Sequence, residues 1–426
     1  MAVKPGYKLT HLGVLPEEWK VLEIGDLNPF VTSGSRGWAA FYSNRGSPFI
    51  RITNLSRECI YLDLRDLRFV SLIEETSEGI RTQLQDQDIL ISITADIGII
   101  GYVTHALQKP AYINQHIALV RFDPSKVGNK FIAYFLSSEN PQKLFNAMTD
   151  QGAKAGMSLI TVRKLFLALP PLPEQHAIAA ALSDVDALLA ALDALIAKKH
   201  LIKQGAMQEL LTGQRRLPGF SGEWEEKSLY ELVENKKELF DDGDWIEAPY
   251  LTGSGVRLIQ TGNIGVGNFV DREVKKYISH ESFKNLRCKE LKPGDILICR
   301  LAEPAGRACI LPEIAEDKII TAVDVSIFRP LDTVADRRYL VNIFSTKQWF
   351  DEIDERCGGT TRSRIARSEL GKIKLFLPPL SEQTAIAKIL SDMDAEIQAL
   401  EQRRQKTRLL KRGMMQELLT GRIRLV

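Results

Sequence analysis

No stretch of the 426 residues is long, apolar and uncharged enough to suggest a membrane span. The most apolar segment, Ala177 to Ala197, carries Asp184, Asp186 and Asp193, and charges at such positions are costly in hydrocarbon. Cysteine is scarce. The five residues Cys59, Cys288, Cys299, Cys309 and Cys357 form no Cys-x-x-Cys pair, which argues against a disulfide framework or a thiolate metal clip. They fit reduced, mostly buried thiols in a cytoplasmic protein. The start, MAVKPGYKLTHLG, lacks the apolar core of a secretory signal, so export is not expected. Neither sign of charge prevails: 56 Lys and Arg face 54 Asp and Glu, for a net charge of +2. A chain that wraps DNA alone is generally more basic, so a DNA-bound role would need partners to supply part of the phosphate contact.

Catalytic motifs are missing as well. There is no Gly-x-x-x-x-Gly-Lys-Ser/Thr phosphate loop and no Gly-x-Ser-x-Gly nucleophile elbow. The six histidines (His11, His105, His116, His176, His200 and His280) show no ligand spacing with Cys or Asp. Asn28-Pro29-Phe30 approaches the Asn-Pro-Pro-Tyr/Phe tetrapeptide of amino-methyltransferases but lacks one proline. No Gly-rich cofactor loop precedes it, and it reads as a turn. No catalytic site and no metal site are expected.

What the chain does have is a repeat. LPPLPEQHAIAAALSDVDALLAAL begins at Leu169, and LPPLSEQTAIAKILSDMDAEIQAL begins at Leu377. The offset of 208 holds without a gap through MQELLTG to Leu217 and Leu425, with 29 of 49 positions identical. A second echo precedes each half: Leu15-Pro16-Glu17-Glu18-Trp19 in one, Leu217-Pro218 and Trp224 in the other. Trp19 lies 150 positions before Leu169, and Trp224 lies 153 before Leu377. The resulting plan is a head over 1–170, a connecting helix over 171–214, a second head over 215–378 and a second helix over 379–426.

The repeated block predicts a long helix. Pro170-Pro171 and Pro378-Pro379 stop any helix before it, and Gly213 and Gly421 suit C-terminal caps. Ile178, Leu182, Val185, Leu189, Leu192 and Ile196 step by four and three. So do Ile386, Leu390, Met393, Ile397 and Leu400, which is a coiled-coil stripe. Each helix would be on the order of 55 Å long. An antiparallel pairing of the two predicts a rod with a head at each end and a pseudo-two-fold axis. The stripe turns polar at Lys199 and Lys203 and at Arg404, Thr407 and Lys411, turns that face either solvent or another subunit. Residues 396–426 concentrate eight Lys and Arg against three Glu.

The heads share little sequence, chiefly Asp88-Ile-Leu-Ile91 with Asp295-Ile-Leu-Ile298 and Arg121 with Arg329. Both predict mixed α/β (α+β) domains rich in short strands. In the first head the candidates are Phe49–Ile52, Ile89–Ile93, Ile99–Val103 and Ile113–Phe122. In the second they are Arg257–Ile259, Ile296–Cys299, Ala308–Leu311 and Val323–Phe328. Helices are expected over Lys130–Met148 and Arg337–Ile353. Polar, glycine-containing loops carry residue types that suit base edges and phosphates. In the first head these are Ser35, Arg36, Arg51, Asn54, Gln115, His116 and Lys154. In the second they are Gln260, Asn263, Arg300, Arg307, Arg362 and Arg364. Arginine pairs bidentately with guanine, and Asn or Gln with adenine.

With these pieces together, the chain resembles the specificity (S) subunits of type I restriction–modification systems. LPPLPEQ and LPPLSEQ, the two MQELLTG ends and the LPEEW and GEW starts carry the likeness, which spans essentially the whole chain. SGSRGWAAFYS, FIRITNL, INQHIALVRF, LIQTGNIGVGNF, RLAEPAGRACILP and GGTTRSRIAR look like target-recognition segments. The resemblance implies two target recognition domains, each reading half of a split DNA site. It implies helices that space them and dock two methyltransferase subunits, and motor–endonuclease subunits that join for restriction. S-adenosylmethionine and ATP would sit on those partners, with no cofactor on this chain. Arg403, Arg404 and Arg408 stand where the first copy has Leu195, Ile196 and His200, so the two docking faces differ.

On this reading each head enters a major groove, with half-sites about one helical turn, roughly 34 Å, apart. Two rivals remain at this point: a self-contained DNA adenine methyltransferase with reading domains, and a coiled-coil scaffold that binds only proteins.

Overall fold

A computed structural model describes residues 4–34, 37–71, 76–147, 156–301, 304–358 and 363–425. The chain divides into two units, 1–194 with 401–426, and 195–400. Each unit holds one head, the start of one long helix and the end of the other.

In the first unit a four-stranded antiparallel sheet runs in the order Phe30–Ser33, Ile117–Arg121, Ile89–Ser92, Ile100–Tyr102. Alternate side chains of a strand face opposite sides, and here both sides are covered. Ile89, Ile91 and Val120 join Phe131, Tyr134, Ile178, Leu182 and Leu418 in one core. Leu90, Ile117 and Leu119 join Ile50, Leu84 and Val103 in another. That is why these strands read as unbroken apolar runs. A second sheet has the order Tyr112–Ile113, Ser47–Ile50, Arg68–Val70, Tyr42–Ser43. Lys20–Glu23 pairs with Phe166–Leu169, which leads straight into the first long helix.

The second unit repeats these three sheets; the hairpin of Tyr7–Thr10 with Gly13–Pro16 belongs to the first unit alone among the described residues. Its main sheet runs Phe240–Asp242, Val325–Phe328, Ile296–Cys299, Ala308–Ile310. Its second sheet runs Ile319–Thr321, Val256–Ile259, Lys276–Ile278, Leu251–Thr252, and Glu225–Ser228 pairs with Lys374–Leu377. The fold therefore restores a duplication that the head sequences have nearly lost.

The surviving sequence echoes acquire a reason. Asp88 accepts from Arg121 Nε and Nη2 at 2.6 and 2.7 Å, and Asp295 accepts from Arg329 at 2.8 and 2.7 Å. In both pairs the carboxylate also takes a backbone N–H three residues earlier, from Gln85 or Lys292. The two isolated matches are thus the two ends of one buried, bidentate ion pair, built twice.

The two expected head helices are each interrupted. Lys130–Met148 becomes Asn129–Ser137 and Glu139–Ala147, with Ser138 extended between them; Met148 lies outside the described residues. Continuing the first helix would press the Pro141 ring against the carbonyl four residues earlier. Arg337–Ile353 becomes Arg337–Ile343 and Lys347–Arg356, restarted where Thr346 caps the Trp349 N–H.

The long helices are continuous, Leu172–Leu211 and Leu380–Leu418, and Gly213 and Gly421 follow with φ of +71° and +68°. They pack antiparallel. In the first unit Asp193 pairs with Arg404 at 2.9 Å and Asp186 with Lys411 at 2.6 Å. In the second unit Lys203 pairs with Asp394 at 2.5 Å and Lys199 with Glu396 at 2.7 Å. Leu182, Leu192, Leu390 and Ile397 are buried, and Val185, Leu189, Met393 and Leu400 are half-buried. The polar turns of the stripe therefore include cations paired with acids of the opposite helix. Lys411 is itself buried, beside the Asp186 carboxylate to which Tyr134 also donates.

The retained Glu-Gln of each block ties the start of one long helix to the segment that follows the other, through Glu, and to the head, through Gln. Glu174 takes Arg424 Nε and Nη2 at 2.6 and 2.8 Å, and Glu382 takes Arg216 at 2.7 and 2.6 Å. Gln175 accepts from Gly128 N and donates to Pro170 O. Gln383 accepts from Asp336 N and donates to Pro378 O. The tryptophan echo seats on the caps: a Cβ on Gly421 would lie 2.5 Å from Pro16 and 3.2 Å from Trp19, and one on Gly213 would lie 3.3 Å from Trp224. Cys288, Cys299 and Cys309 are buried and Cys59 and Cys357 half-buried, all as free thiols. Among the described residues no helix is long and apolar enough to cross a membrane.

Candidate nucleic-acid interface

Five backbone segments of the first unit meet at one edge of its main sheet. Ile93 N donates to His116 O at 2.9 Å, Met157 N donates to Ile93 O at 2.8 Å, and Thr94 bridges to Gly156. Asn114 N donates to Ile50 O, which brings Arg51 to the same edge. Gly34 crosses so close to the Asn114 carbonyl that a Cβ would sit 2.3 Å from it, so only glycine fits there.

At this edge His116 is held in one orientation. Gln115 Nε2 lies 3.0 Å from His116 Nε2, and Thr94 Oγ1 lies 2.6 Å from Nδ1. These two contacts fix the ring between Gln115 and Thr94. Arg51 is mostly buried along its stem and reaches Asp66 at 3.3 Å.

The second unit builds the same edge from different side chains. Arg300 N donates to Asp324 O at 2.8 Å, Ile365 N donates to Arg300 O at 3.0 Å, and Leu301 bridges to Arg364. These bonds superimpose His116 on Asp324 and Gly156 on Arg364. Ala322 N donates to Ile259 O, placing Gln260 where the first unit has Arg51. Gly243, like Gly34, admits a crossing that a Cβ would close to 2.3 Å from the Ala322 carbonyl oxygen. Arg307 is half-buried, and its Nη2 donates to Thr261 O at 3.2 Å.

Of the residues singled out from the sequence, Arg51, Gln115 and His116 converge in one unit and Gln260, Arg307 and Arg364 in the other. Three expectations are corrected. Asn54 is 2 % exposed and spends its side chain on Arg51 N, Asp63 O and Asp66 O. Asn263 is its counterpart, 5 % exposed and bonded to Gln260 N and Val270 O. Both fold the turn that follows a strand, so neither amide is free for a base. Arg300 is buried, with Nε 3.0 Å from Asp242 and its η nitrogens on the Ile365 and Val323 carbonyls. Burial pushes its guanidinium below its ordinary pKa, with Asp242 opposing. Ser35, Arg36, Lys154 and Arg362 lie outside the described residues.

Sequence reasoning missed Thr94, Asp242 and Asp324. Applied across the heads, the offset of 208 would have set Asp324 beside His116.

A different surface lies along the long helices. Leu201 and Ile202 in the second unit and Leu409 and Leu410 in the first stand at matching repeat positions and are exposed. Each unit also has a cleft against its long-helix end. One of about 770 Å³ is lined by Met415, Gln416 and Thr420 with Arg408, Arg412 and Arg422. Its counterpart, about 960 Å³, is lined by Met207, Gln208 and Thr212 with His200, Gln204 and Gln214. At these matching positions the floors repeat and the other residues differ: Arg408, Arg412 and Arg422 in one, His200, Gln204 and Gln214 in the other.

A duplicated mixed-sheet head on antiparallel helices, with equivalent loop edges of unlike chemistry, defines a class of two-headed recognition proteins. Residues 16–199 and 222–409 match the family model described as Type I restriction modification DNA specificity domain, and the chain belongs to that family. It is a specificity subunit of a type I restriction–modification system, and it recognises DNA. It is 26% identical over 441 residues to the "Putative type I restriction enzyme MjaX specificity subunit" of Methanocaldococcus jannaschii, covering 98% of this chain and 96% of that one. It is 27% identical over 269 residues to the type I restriction enzyme MjaVIII specificity subunit of the same organism, covering 60% and 61% of the two chains. Among solved structures, the type I S subunit from M. genitalium aligns with a TM-score of 0.57 at 13% identity, over 98% of both chains. A chain from a study of type I complex assembly and conformational transition aligns with a TM-score of 0.57 at 16% identity, over 96% and 99%.

Proposed function

We propose that the subunit reads an asymmetric, two-part DNA sequence, one part with each unit, and contributes no catalytic group of its own. The observation that carries this is the pair of equivalent sheet edges. Identical backbone hydrogen bonds present Gln115, His116 and Arg51 in one unit and Asp324, Arg364 and Gln260 in the other. Equal scaffolds with unlike polar groups suit two different sets of base edges.

Two methyltransferase subunits dock on the long helices, through Leu201 and Ile202 on one and Leu409 and Leu410 on the other. Motor–endonuclease subunits complete the restriction complex. S-adenosylmethionine and ATP belong to those partners, which work with this chain in the cytoplasm. The modest charge of +2 fits a subunit that shares phosphate contact with partners.

The test is to map methylated adenines genome-wide in a host carrying the cognate methyltransferase gene with and without this chain. A two-part motif that appears only with the chain is expected. Methylation of the same motif without it would contradict the proposal, as would tight stoichiometric binding of S-adenosylmethionine by the isolated chain.

A further inference from the structure

We propose that Arg364, held by Asp324, reads a guanine in the half-site of the second unit, and that Asp324 is the positioning residue that makes the reading selective. The inference rests on the DNA-recognition reading above and adds one residue pair and one base.

The backbone of Arg364 is tied from two sides. It exchanges two hydrogen bonds with Gly358, each 3.1 Å, and it bridges to Leu301. The next residue is fixed too, since Ile365 N donates to Arg300 O at 3.0 Å. Asp324 is anchored from the opposite strand, where its carbonyl accepts from Arg300 N at 2.8 Å. Arg364 Nη2 then lies 3.1 Å from Asp324 Oδ1, with the two side chains 43% and 31% exposed.

Two nearby arginines are committed elsewhere. Arg300 is sealed against Asp242, and Arg367 reaches Asp241 at 3.0 Å and Phe240 O at 2.7 Å. Arg364 meets no other carboxylate within ion-pair distance among the described residues. With 43% of the side chain exposed, the five-donor fork remains reachable by a ligand.

A free arginine samples many rotamers and surrenders that freedom on binding. One fixed by a carboxylate is already aimed, which favours a planar, bidentate acceptor over a lone phosphate oxygen. Among base edges in the major groove, guanine alone offers two adjacent acceptors, O6 and N7. Asp324 also opposes close approach of phosphate, since like charges repel. The first unit cannot perform this reading at the matching place. Gly156 replaces Arg364 there and His116, paired with Gln115 and Thr94, replaces Asp324, so the device belongs to one half-site.

The test maps methylated adenines in a host carrying the methyltransferase with the wild-type chain, with Arg364→Ala, and with Asp324→Asn. The expected wild-type motif has a G·C pair in one half that the Arg364→Ala chain no longer requires, with about ten-fold or greater loss of discrimination there. Asp324→Asn is expected to relax the same pair while every other position, including the whole first half-site, stays fixed. Loss of methylation with one variant transfers the decision to the other and to the affinity of the assembled complex for duplexes changed at that pair. An unchanged motif in both variants overturns the inference, and so does uniform weakening across all sequences, which marks a phosphate contact. A wild-type motif that does not depend on this chain instead overturns the recognition reading itself.

Discussion

Glu174 and Glu382 lie in the most faithfully repeated stretch of the chain, and both are fully buried acids that grip an arginine with two hydrogen bonds. Removing the arginine leaves a carboxylate without charge compensation. Arg424→Ala is therefore expected to destabilise the first unit by about 3–5 kcal/mol in urea unfolding, and Arg216→Ala to destabilise the second. A change below about 1 kcal/mol would show that the pairs do not hold each helix start to the segment that follows the other helix. The thiols give a second test. Burial pushes Cys309 up to about 12 and Cys288 up to about 11, so neither carries appreciable thiolate at neutral pH. Both are expected to resist alkylation at pH 8 until the chain is unfolded, as read by mass spectrometry. At this scale the sequence was legible where a residue has one partner type. The Asp88 and Arg121 echoes were visible without their meaning, because pairing across 33 positions is a property of the sheet. Asn54, Asn263 and Arg300 misled because a polar side chain that builds a turn looks, in sequence, like one that reads a base.

Among the elements, the long helices were the most legible. Their apolar stripe, proline starts and glycine ends are local signals, and they placed both helix starts within one residue, whereas the second helix ends at Leu418 rather than running to 426. The head helices were less so: one proline and one capping threonine, each inside an otherwise helical run, split them. The heads' common topology was not legible at all. Strand order depends on long-range pairing that apolar runs do not encode, and strands buried on both faces lose the alternation that marks register. The exposed leucines make the element-scale prediction. Leu201→Glu with Ile202→Glu, and separately Leu409→Glu with Leu410→Glu, are expected to leave unfolding unchanged and to abolish association with one methyltransferase subunit each, seen as a mass step in light scattering. Retained full association would place the docking surface elsewhere. Lengthening both helices together is expected to change the number of unread base pairs between the half-sites; an unchanged spacing would sink the ruler role.

For the whole molecule, the repeat means that one backbone plan is used twice with different side chains at one edge. The paired strands Lys20–Glu23 with Phe166–Leu169, and Glu225–Ser228 with Lys374–Leu377, mark equivalent places at which one head could replace the other. The chain belongs to the DNA specificity family, and under the proposed function the unlike edges would read two different parts of a site. The most direct measurement is the methylated motif written by a chain in which residues 20–169 are replaced by a second copy of 225–377. The account predicts that the sequence read by the first unit disappears and the motif becomes two copies of the half read by the second. A motif that keeps its original first half would contradict it.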